Sequence, residues 1–464
     1  MNFSEKEIQD HIWEQRENWH DLILPLKLTN PYSFEDEDSI YGLSADKLLY
    51  NLTYERISEL YASVKNLELI GVEVPLEKKK DSTIRADFLG VEPGAPGIAI
   101  IELKKSTQTE REAFTEMLAY ASHINNLFPT HCLDDNILIL IAPFKVRTVR
   151  EAFLQSLIFD RKRVFVLQPV FEDKTNIKTL RLKPYTPNPQ DISSLTEVAF
   201  AKRNFDVEVA VWIDTPEFWN TTKEKRDPSH NQRENMNRVS AYAAQLMESK
   251  KIHGFVYTQQ CWPELVEMLP YSNSLVMVGF NPYKIANDKY YADHNPKIKI
   301  SEIPEINDYG PNLADLIPGL NKSAKKLHAD TNFMVDLNMV WDSHLGRIAN
   351  EVVKTMNLNN QNMAIYRDRG SMNWHQYETS MIENVLCFNY DVRPTGILRE
   401  LFWETTKIDY THWKKFNKHP VQGDIYGWAV ETLNSHHFFS EFLERMFGDP
   451  FGIRDIDDDL DEKE

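Results

Sequence analysis

Residues 84–106 read IRADFLGVEPGAPGIAIIELKKS, and this stretch decides how the N-terminal part of the chain folds. Two apolar runs flank EPGAPG, whose prolines and glycines cannot continue a strand and therefore indicate a turn. The stretch predicts a β-hairpin, and the continuous apolar run of its second arm is typical of a strand inside a sheet. Such a strand has little room for charge, yet one arm carries Asp87 and the other ends with Glu102 and Lys104.

The spacing of these three charged residues predicts a catalytic site. Side chains alternate along a strand, so Glu102 and Lys104 point to the same side, and pairing of the two arms brings Asp87 close to Glu102. Two carboxylates held together repel each other and lose hydration, and a divalent cation offsets that cost by taking oxygen ligands. The ion activates a bound water, and a neighbouring ammonium group positions the water or stabilises developing charge. The three residues therefore suffice for phosphodiester hydrolysis; the alternative is an edge hairpin whose charges reach solvent.

The hairpin lies within a regular series of predicted elements. Their order, α, β, β, β, α, β, α, β, indicates a mixed sheet with flanking helices, and the predicted fold class is α/β. Ser4 and Glu7 form a predicted capping box at the start of the first helix. The predicted helices are 4–24, 52–65, 109–128 and 148–162, and the predicted strands are 67–74, 84–91, 97–104, 136–143 and 163–171.

The proline-rich stretch KPYTPNPQD at 183–191 predicts the end of a first domain over 1–185. A second α/β domain is predicted over 192–300, a mostly helical domain over 301–448 and a solvated acidic tail over 449–464. The sequences EREAFTEMLAYA and QRENMNRVSAYA, one in each α/β domain, share several residues in register. The second domain is either a diverged copy of the first or similar to it by chance.

Composition excludes several classes of protein. The 464 residues include only three cysteines, far apart, which predicts neither a disulfide framework nor a cysteine zinc site. No apolar run is long enough to span a membrane and no signal peptide begins the chain, so the expected location is the cytoplasm. No nucleotide-binding glycine motif or serine-hydrolase motif occurs.

The formal net charge of −18 disfavours nucleic acid as a partner, but the charge is unevenly distributed. Acidic residues concentrate in 1–50 and in the final stretch DIDDDLDEKE, whereas acidic and basic residues nearly balance over 51–190. The segment that carries the hairpin is therefore compatible with a nucleic-acid partner.

Residues 4–170 resemble the PD-(D/E)XK nuclease superfamily, with an insertion at 25–65. Asp87 matches the aspartate of the family motif, and Glu102-Leu103-Lys104 matches its Glu-x-Lys. The initial SEKE is similar to the Ser-Glu-x-Glu string of NucS-type endonucleases. The resemblance implies a restriction-endonuclease-like mixed sheet with an α-β-β-β-α-β core.

The resemblance also implies site residues beyond Asp87, Glu102 and Lys104. Mg²⁺ or Mn²⁺ would be held by Asp87, Glu102, the backbone carbonyl of Leu103 and a helical glutamate, for which Glu5 is the first candidate; its alternative is an acid that favours the helix dipole. Related nucleases carry Gln-x-x-x-Tyr on the next helix. Here Glu116 replaces the glutamine, which either supplies another carboxylate on the metal side or reflects sequence drift. The residues expected to contact nucleic acid are Lys105, Arg111, Glu116 and Tyr120, with solvated surface as the alternative for the first two and core packing for Tyr120.

The sequence therefore predicts a Mg²⁺- or Mn²⁺-dependent endonuclease that acts on DNA, with RNA not excluded. By analogy of fold, a large extension on a small nuclease suits restriction or anti-phage defence. Residues 191–464 are expected to supply recognition, regulation, or assembly as a homo-oligomer or with a partner protein. The alternatives are a catalytically degenerate nuclease fold that binds nucleic acid or serves assembly, and a protein whose function resides in a ligand-sensing or interaction module of the C-terminal half.

Overall fold

The structure, a computed structural model, confirms the α/β class. It describes residues 3–28, 31–36, 38–76, 85–95, 97–106, 110–128, 130, 132–213, 230–261, 271–294, 337–358, 362–366, 372–374, 377, 387–416 and 436–447. The predicted acidic tail over 449–464 lies outside these residues.

The chain forms two compact units, each built from two segments. The first unit contains residues 1–32 and 49–192, and the second contains 33–48 and 193–464. The second unit thus includes residues that the sequence analysis assigned to a second α/β domain and to a separate helical domain.

The first unit is a six-stranded mixed sheet with helices packed against it. Its strands lie in the order β1-β2-β3-β4-β5-β6, with β3, β4 and β5 parallel and the other neighbours antiparallel. The helices are α1 (Glu5–Glu14), α2 (Trp19–Leu22), α3 (Ala45–Lys65), α4 (Glu110–Leu127) and α5 (Arg147–Leu154), and the strands are β1 (Glu68–Pro75), β2 (Arg85–Val91), β3 (Ala99–Leu103), β4 (Ile137–Ile141), β5 (Val164–Phe171) and β6 (Leu180–Pro184). A further helix, α6 (Pro189–Ala199), begins in the first unit and ends in the second.

The predicted capping box begins α1. The Glu7 N–H donates to the Ser4 hydroxyl at 3.1 Å, and the Ser4 N–H donates to the Glu7 carboxylate at 2.7 Å. The predicted apolar face is buried, but the single helix expected over 4–24 is interrupted at Gln15, whose backbone leaves helical geometry. A 3₁₀ turn, Arg16–Asn18, separates α1 from α2, and Trp19 at the start of α2 is buried, with its Nε1–H donating to the Val64 carbonyl at 2.7 Å.

Regular elements occupy the proline-rich stretch at 183–191, which the sequence analysis interpreted as a break in the chain. Pro184 ends β6, which pairs antiparallel with β5, and Pro189 begins α6. Proline is tolerated at both places, because the end of an edge strand and the first turn of a helix do not need its missing N–H. The same prolines therefore mark the borders of two regular elements, and the border between the two units follows directly after residue 192.

The second unit has an antiparallel sheet in the order β10-β7-β9-β8-β12, with β11 also paired to β7. Because the first sheet is mixed and this one is antiparallel, the topology gives no support to an internal duplication. Its strands are β7 (Phe205–Trp212), β8 (Gly254–Cys261), β9 (Asn273–Phe280), β10 (Met363–Ile365), β11 (Met372–Asn373) and β12 (Cys387–Thr395), and its helices are α7 (His230–Ser249), α8 (Pro282–His294), Leu337–Leu358, Ile397–Phe416 and His436–Phe447.

Residues 33–48 belong to the second unit although they precede most of the first. The backbone carbonyl of Phe34 contacts the His412 ring, and the Lys415 ammonium donates to the Glu35 carbonyl at 2.9 Å. Ile40 and Leu43 of this segment are buried.

Among the described residues, no helix combines the length and apolarity that crossing a membrane requires.

Candidate active site

The predicted hairpin forms and brings its two acidic residues together. Phe88 pairs with Ile101 and Leu89 with Ile100, so the same register places Asp87 opposite Glu102. Opposite residues of an antiparallel pair lie on the same face with neighbouring Cβ atoms. The Leu103 N–H donates to Asp87 Oδ2 at 2.7 Å, which fixes the Asp87 carboxylate across the two strands.

Lys104 joins Glu102 to helix α4. Its Nζ lies 2.7 Å from Glu102 Oε1 and 2.6 Å from Glu116 Oε2. Its backbone N–H donates to the carbonyl of Ile141 at 2.8 Å, so β4 holds the backbone while the two carboxylates hold the side chain. The lysine is thus positioned beside Asp87 and Glu102, as the spacing predicts.

Glu102 is the most deeply buried acid of this group, with 3% of the residue exposed. One oxygen, Oε1, accepts a hydrogen bond from Lys104, whereas the buried Oε2 meets no donor group. The Glu116 carboxyl group lies within hydrogen-bonding range of the Glu102 carboxyl group, and this proximity favours a proton on Glu102. An unsatisfied buried carboxylate oxygen is costly unless a proton or a cation occupies it.

The pKa values of the two central carboxyl groups are higher than usual. Burial and the neighbouring charge of Asp87 raise the pKa of Glu102 to about 8, against the opposing effect of Lys104. Burial also raises the pKa of Asp87 to about 6, while the Leu103 N–H and Lys104 oppose the shift. Shifts of this kind are common at catalytic and metal-binding positions.

Lys104 keeps its proton. Burial favours the neutral amine, but the hydrogen bonds and charges of Glu102 and Glu116 outweigh burial and raise the pKa of Lys104 above its ordinary value. A lysine held in this way is a fixed positive charge and hydrogen-bond donor rather than a proton acceptor at neutral pH. A charged ammonium group is compatible with both roles predicted for Lys104, positioning of the water and stabilisation of developing charge.

Helix α1 also reaches this group of residues. Gln9, which is buried, donates to Asp87 Oδ1 at 3.3 Å. Glu5 accepts the Lys105 N–H at 2.8 Å, so both predicted residues lie beside the hairpin, and the negative charge of Glu5 helps to raise the pKa of Asp87. The helix therefore supplies one positioning amide and one further carboxylate.

Two residues that shape the surroundings of Asp87 were not predicted from the sequence. Gln9 gave no signal because a glutamine in an amphipathic helix is typical of a surface position. Glu73 is aligned with Asp87 by the β1–β2 register, and its charge helps to raise the pKa of Asp87. Its φ of 50° lies in the left-handed region, in a strand with an irregular register near Gly71, so only the folded strand reveals its position.

Of the residues expected to contact nucleic acid, Tyr120 is buried, in agreement with its core alternative. Burial and the charges of Glu102 and Glu116 raise its pKa to about 12, so its hydroxyl stays protonated. Arg111 belongs to the first turn of α4, but its side chain lies outside the described part of the chain.

Helix α4 has an anchor independent of the site. Glu110, its fully buried first residue, accepts hydrogen bonds from the backbone N–H groups of Phe144, Lys145 and Val146 at 2.8, 3.1 and 3.1 Å. Charge-assisted bonds of this kind are stronger than neutral ones. They join α4 to the loop after β4 and so fix the helix that carries Glu116.

The donor set fits a hard divalent cation. Asp87 and Glu102 provide carboxylate oxygens side by side, and Glu102 Oε2 is a buried oxygen in need of a positive partner. Within the described ranges, no three or more His, Cys, Asp or Glu residues are grouped so as to hold an ion. Mg²⁺ commonly needs only one or two carboxylates, since water and substrate phosphate complete its shell.

Comparisons with protein-family models, with curated proteins and with solved structures found no match to this chain.

Proposed function

We propose that the first unit is a Mg²⁺- or Mn²⁺-dependent nuclease that hydrolyses phosphodiester bonds in DNA. The observation that supports this most is the contact of one lysine with Glu102 and Glu116, beside an aspartate opposite Glu102. A buried oxygen of Glu102 that needs either a proton or a cation is compatible with it. The resemblance of Asp87 and Glu102-Leu103-Lys104 to the PD-(D/E)XK motif points to the same chemistry.

In this proposal each residue has a distinct part. Asp87 and Glu102 would hold the cation, with the Leu103 carbonyl and Glu5 as further candidates. When bound, the cation would polarise the phosphoryl group and lower the pKa of a water. Lys104, held charged by its two carboxylate partners, orients that water and stabilises negative charge on the phosphate oxygens. Gln9 and the Leu103 N–H keep Asp87 in place.

The test is cleavage by the full chain. Plasmid, linear duplex, single-stranded DNA and RNA of equal length are each incubated with Mg²⁺, Mn²⁺ or EDTA. We expect cleavage of DNA with either metal and none with EDTA, together with saturable Mn²⁺ binding by calorimetry without substrate. Binding of DNA without cleavage would favour the degenerate alternative. The proposal would be contradicted if the protein bound no metal and cleaved none of the substrates.

The raised pKa values predict that the metal-free protein becomes less stable as pH increases. The folded state holds protons on Asp87 and Glu102 up to about pH 6 and 8, whereas the unfolded chain releases them near their ordinary values. Folding therefore binds protons, and the stability that depends on them is full in acid and is lost as pH rises toward 8.

Glu102→Gln removes the larger part of this dependence. In EDTA, we expect wild type to lose about 1 to 3 kcal/mol relative to Glu102→Gln between pH 5 and pH 9. Urea unfolding at several pH values measures this difference, and Mg²⁺ at pH 8 should restore wild type only. If the unfolding free energies of the two proteins changed with pH in parallel, Glu102 would be charged in the folded state over this whole pH range.

We propose that residues 191–464 supply recognition, regulation or assembly, with a homo-oligomer or a partner protein as the two forms of assembly. Sedimentation of the full chain with and without DNA distinguishes a constant monomer from an assembling species.

A further inference from the structure

Two of the three cysteines lie side by side in the second unit. Cys261, the last residue of β8, is paired in register with Cys387, the first residue of β12. Their sulfur atoms are 3.8 Å apart, and both residues carry thiols. The third cysteine, Cys132, is exposed and belongs to the first unit.

Directly opposite positions on antiparallel strands are close enough for a disulfide. Directly opposite residues of antiparallel strands have Cα atoms about 4.5 or 5.5 Å apart. Both separations fall within the range of about 4.4 to 6.8 Å that disulfides span. Rotation of the two side chains therefore suffices to close a disulfide between cysteines paired in this way.

Side chains next to the pair fix its register. Gln259 and Asn389 are paired two residues away, on the same face of the two strands, and the Gln259 amide donates to Asn389 Oδ1 at 2.8 Å. The Cys261 N–H donates to the Ser272 carbonyl at 2.9 Å, which holds the end of β8 on the neighbouring chain segment. The two thiols are thus kept adjacent by the folded sheet.

We propose that Cys261 and Cys387 form a reversible disulfide by exchange with a low-molecular-weight disulfide such as oxidised glutathione. Cys387 is partly exposed and Cys261 is only 1% exposed, so Cys387 reacts first. Its thiolate attacks one glutathione sulfur, which breaks the glutathione disulfide and releases one glutathione thiolate. The Cys261 thiolate then attacks the Cys387 sulfur of the mixed disulfide and releases the second glutathione. Two protein thiols are oxidised, one glutathione disulfide is reduced, and the two thiol protons pass to the glutathione thiolates.

The bond would link two distant parts of the chain. The cysteines are 126 positions apart, and the disulfide would close the loop between the end of β8 and the start of β12. Cross-links that close long loops restrict the unfolded chain most strongly. We therefore expect the oxidised second unit to unfold at a higher temperature than the reduced one, by roughly 5 to 10 °C.

Differential alkylation of the full chain tests the proposal. The protein is equilibrated in buffers of increasing oxidised-to-reduced glutathione ratio, quenched in acid, unfolded, alkylated and digested for mass spectrometry. We expect Cys261 and Cys387 to lose alkylation together and to appear in one disulfide-linked peptide, which dithiothreitol removes. Cys132→Ser should keep the link at the same ratio, as the matched control.

Two results would overturn the proposal. One is full alkylation of both cysteines at the most oxidising ratio; the other is glutathione retained on Cys387 while Cys261 stays reduced. Cys387→Ser should leave Cys261 reduced at every ratio and abolish the rise in unfolding temperature. The wild-type measurement needs no variant, so it decides the proposal even if Cys387→Ser misfolds.

Discussion

Replacing Lys104 with alanine should lower the rate of the proposed metal-dependent DNA cleavage by at least about 100-fold, because the variant loses the charge to which we assign stabilisation of the phosphate oxygens. Asp87→Asn should have an effect of similar or larger size, since it removes a charged oxygen ligand from the cation. Single-turnover cleavage at saturating Mg²⁺ measures the chemical step for both variants. Lys104→Ala should retain Mn²⁺ binding by calorimetry, whereas Asp87→Asn should weaken it.

The matched controls are Lys183→Ala and Asp173→Asn, which change the same residue types on exposed positions of the first unit. Both should cleave DNA at the wild-type rate. Equal cleavage by wild type, Lys104→Ala and Asp87→Asn would mean that the activity comes from another site or from a contaminant. Circular dichroism and thermal unfolding establish that each variant is folded before its rate is compared.

Replacing Gly97 with alanine should destabilise the first unit by about 3 kcal/mol and reduce its unfolding temperature by roughly 6 to 12 °C. Gly97 lies in the turn before β3 with φ of 99°, where an L side chain is strained. An added Cβ would also overlap the backbone carbonyl of Asp135, which cannot move freely because the Asn136 side chain binds the Ile98 N–H at 3.2 Å.

Gly94→Ala is the control for Gly97→Ala. Gly94 lies in the same turn with φ of 82°, but an added Cβ would meet nothing within 4 Å. This variant therefore carries backbone strain alone, and we expect a loss of about 1 kcal/mol. Equal losses in the two variants would show that the close approach to Asp135 costs nothing. Gly97→Ala should also impair cleavage more, because the turn sets the register of Asp87 and Glu102.

The parts of the fold that depend on local pattern were predictable from the sequence. The turn of the hairpin and the alternation of its arms are local properties, and they were sufficient to place Asp87 opposite Glu102 with Lys104 beside them. The capping box of Ser4 and Glu7 is likewise a contact between residues three apart. In each case the residues that meet are close in sequence or belong to one regular element.

The remaining contacts depend on tertiary packing. Gln9 meets Asp87 only because α1 packs on the sheet, and the contact of Glu116 with Lys104 depends on where Glu110 fixes α4. Strand β12, CFNYDVRPT, was not predicted because it mixes polar residues and a proline, which its position at the edge of the sheet tolerates. The antiparallel partners of a strand cannot be read from its own sequence.

The crossing of the chain between the two units limits how the protein can be divided for expression. A truncated protein ending near residue 192 would retain residues 33–48 but lack the helix Ile397–Phe416, whose His412 and Lys415 hold that segment. The buried Ile40 and Leu43 would then lose the helix that holds their segment, and their exposure would promote aggregation even if the first unit folded correctly. A fragment that contains the first unit alone would need a short polar linker in place of this segment.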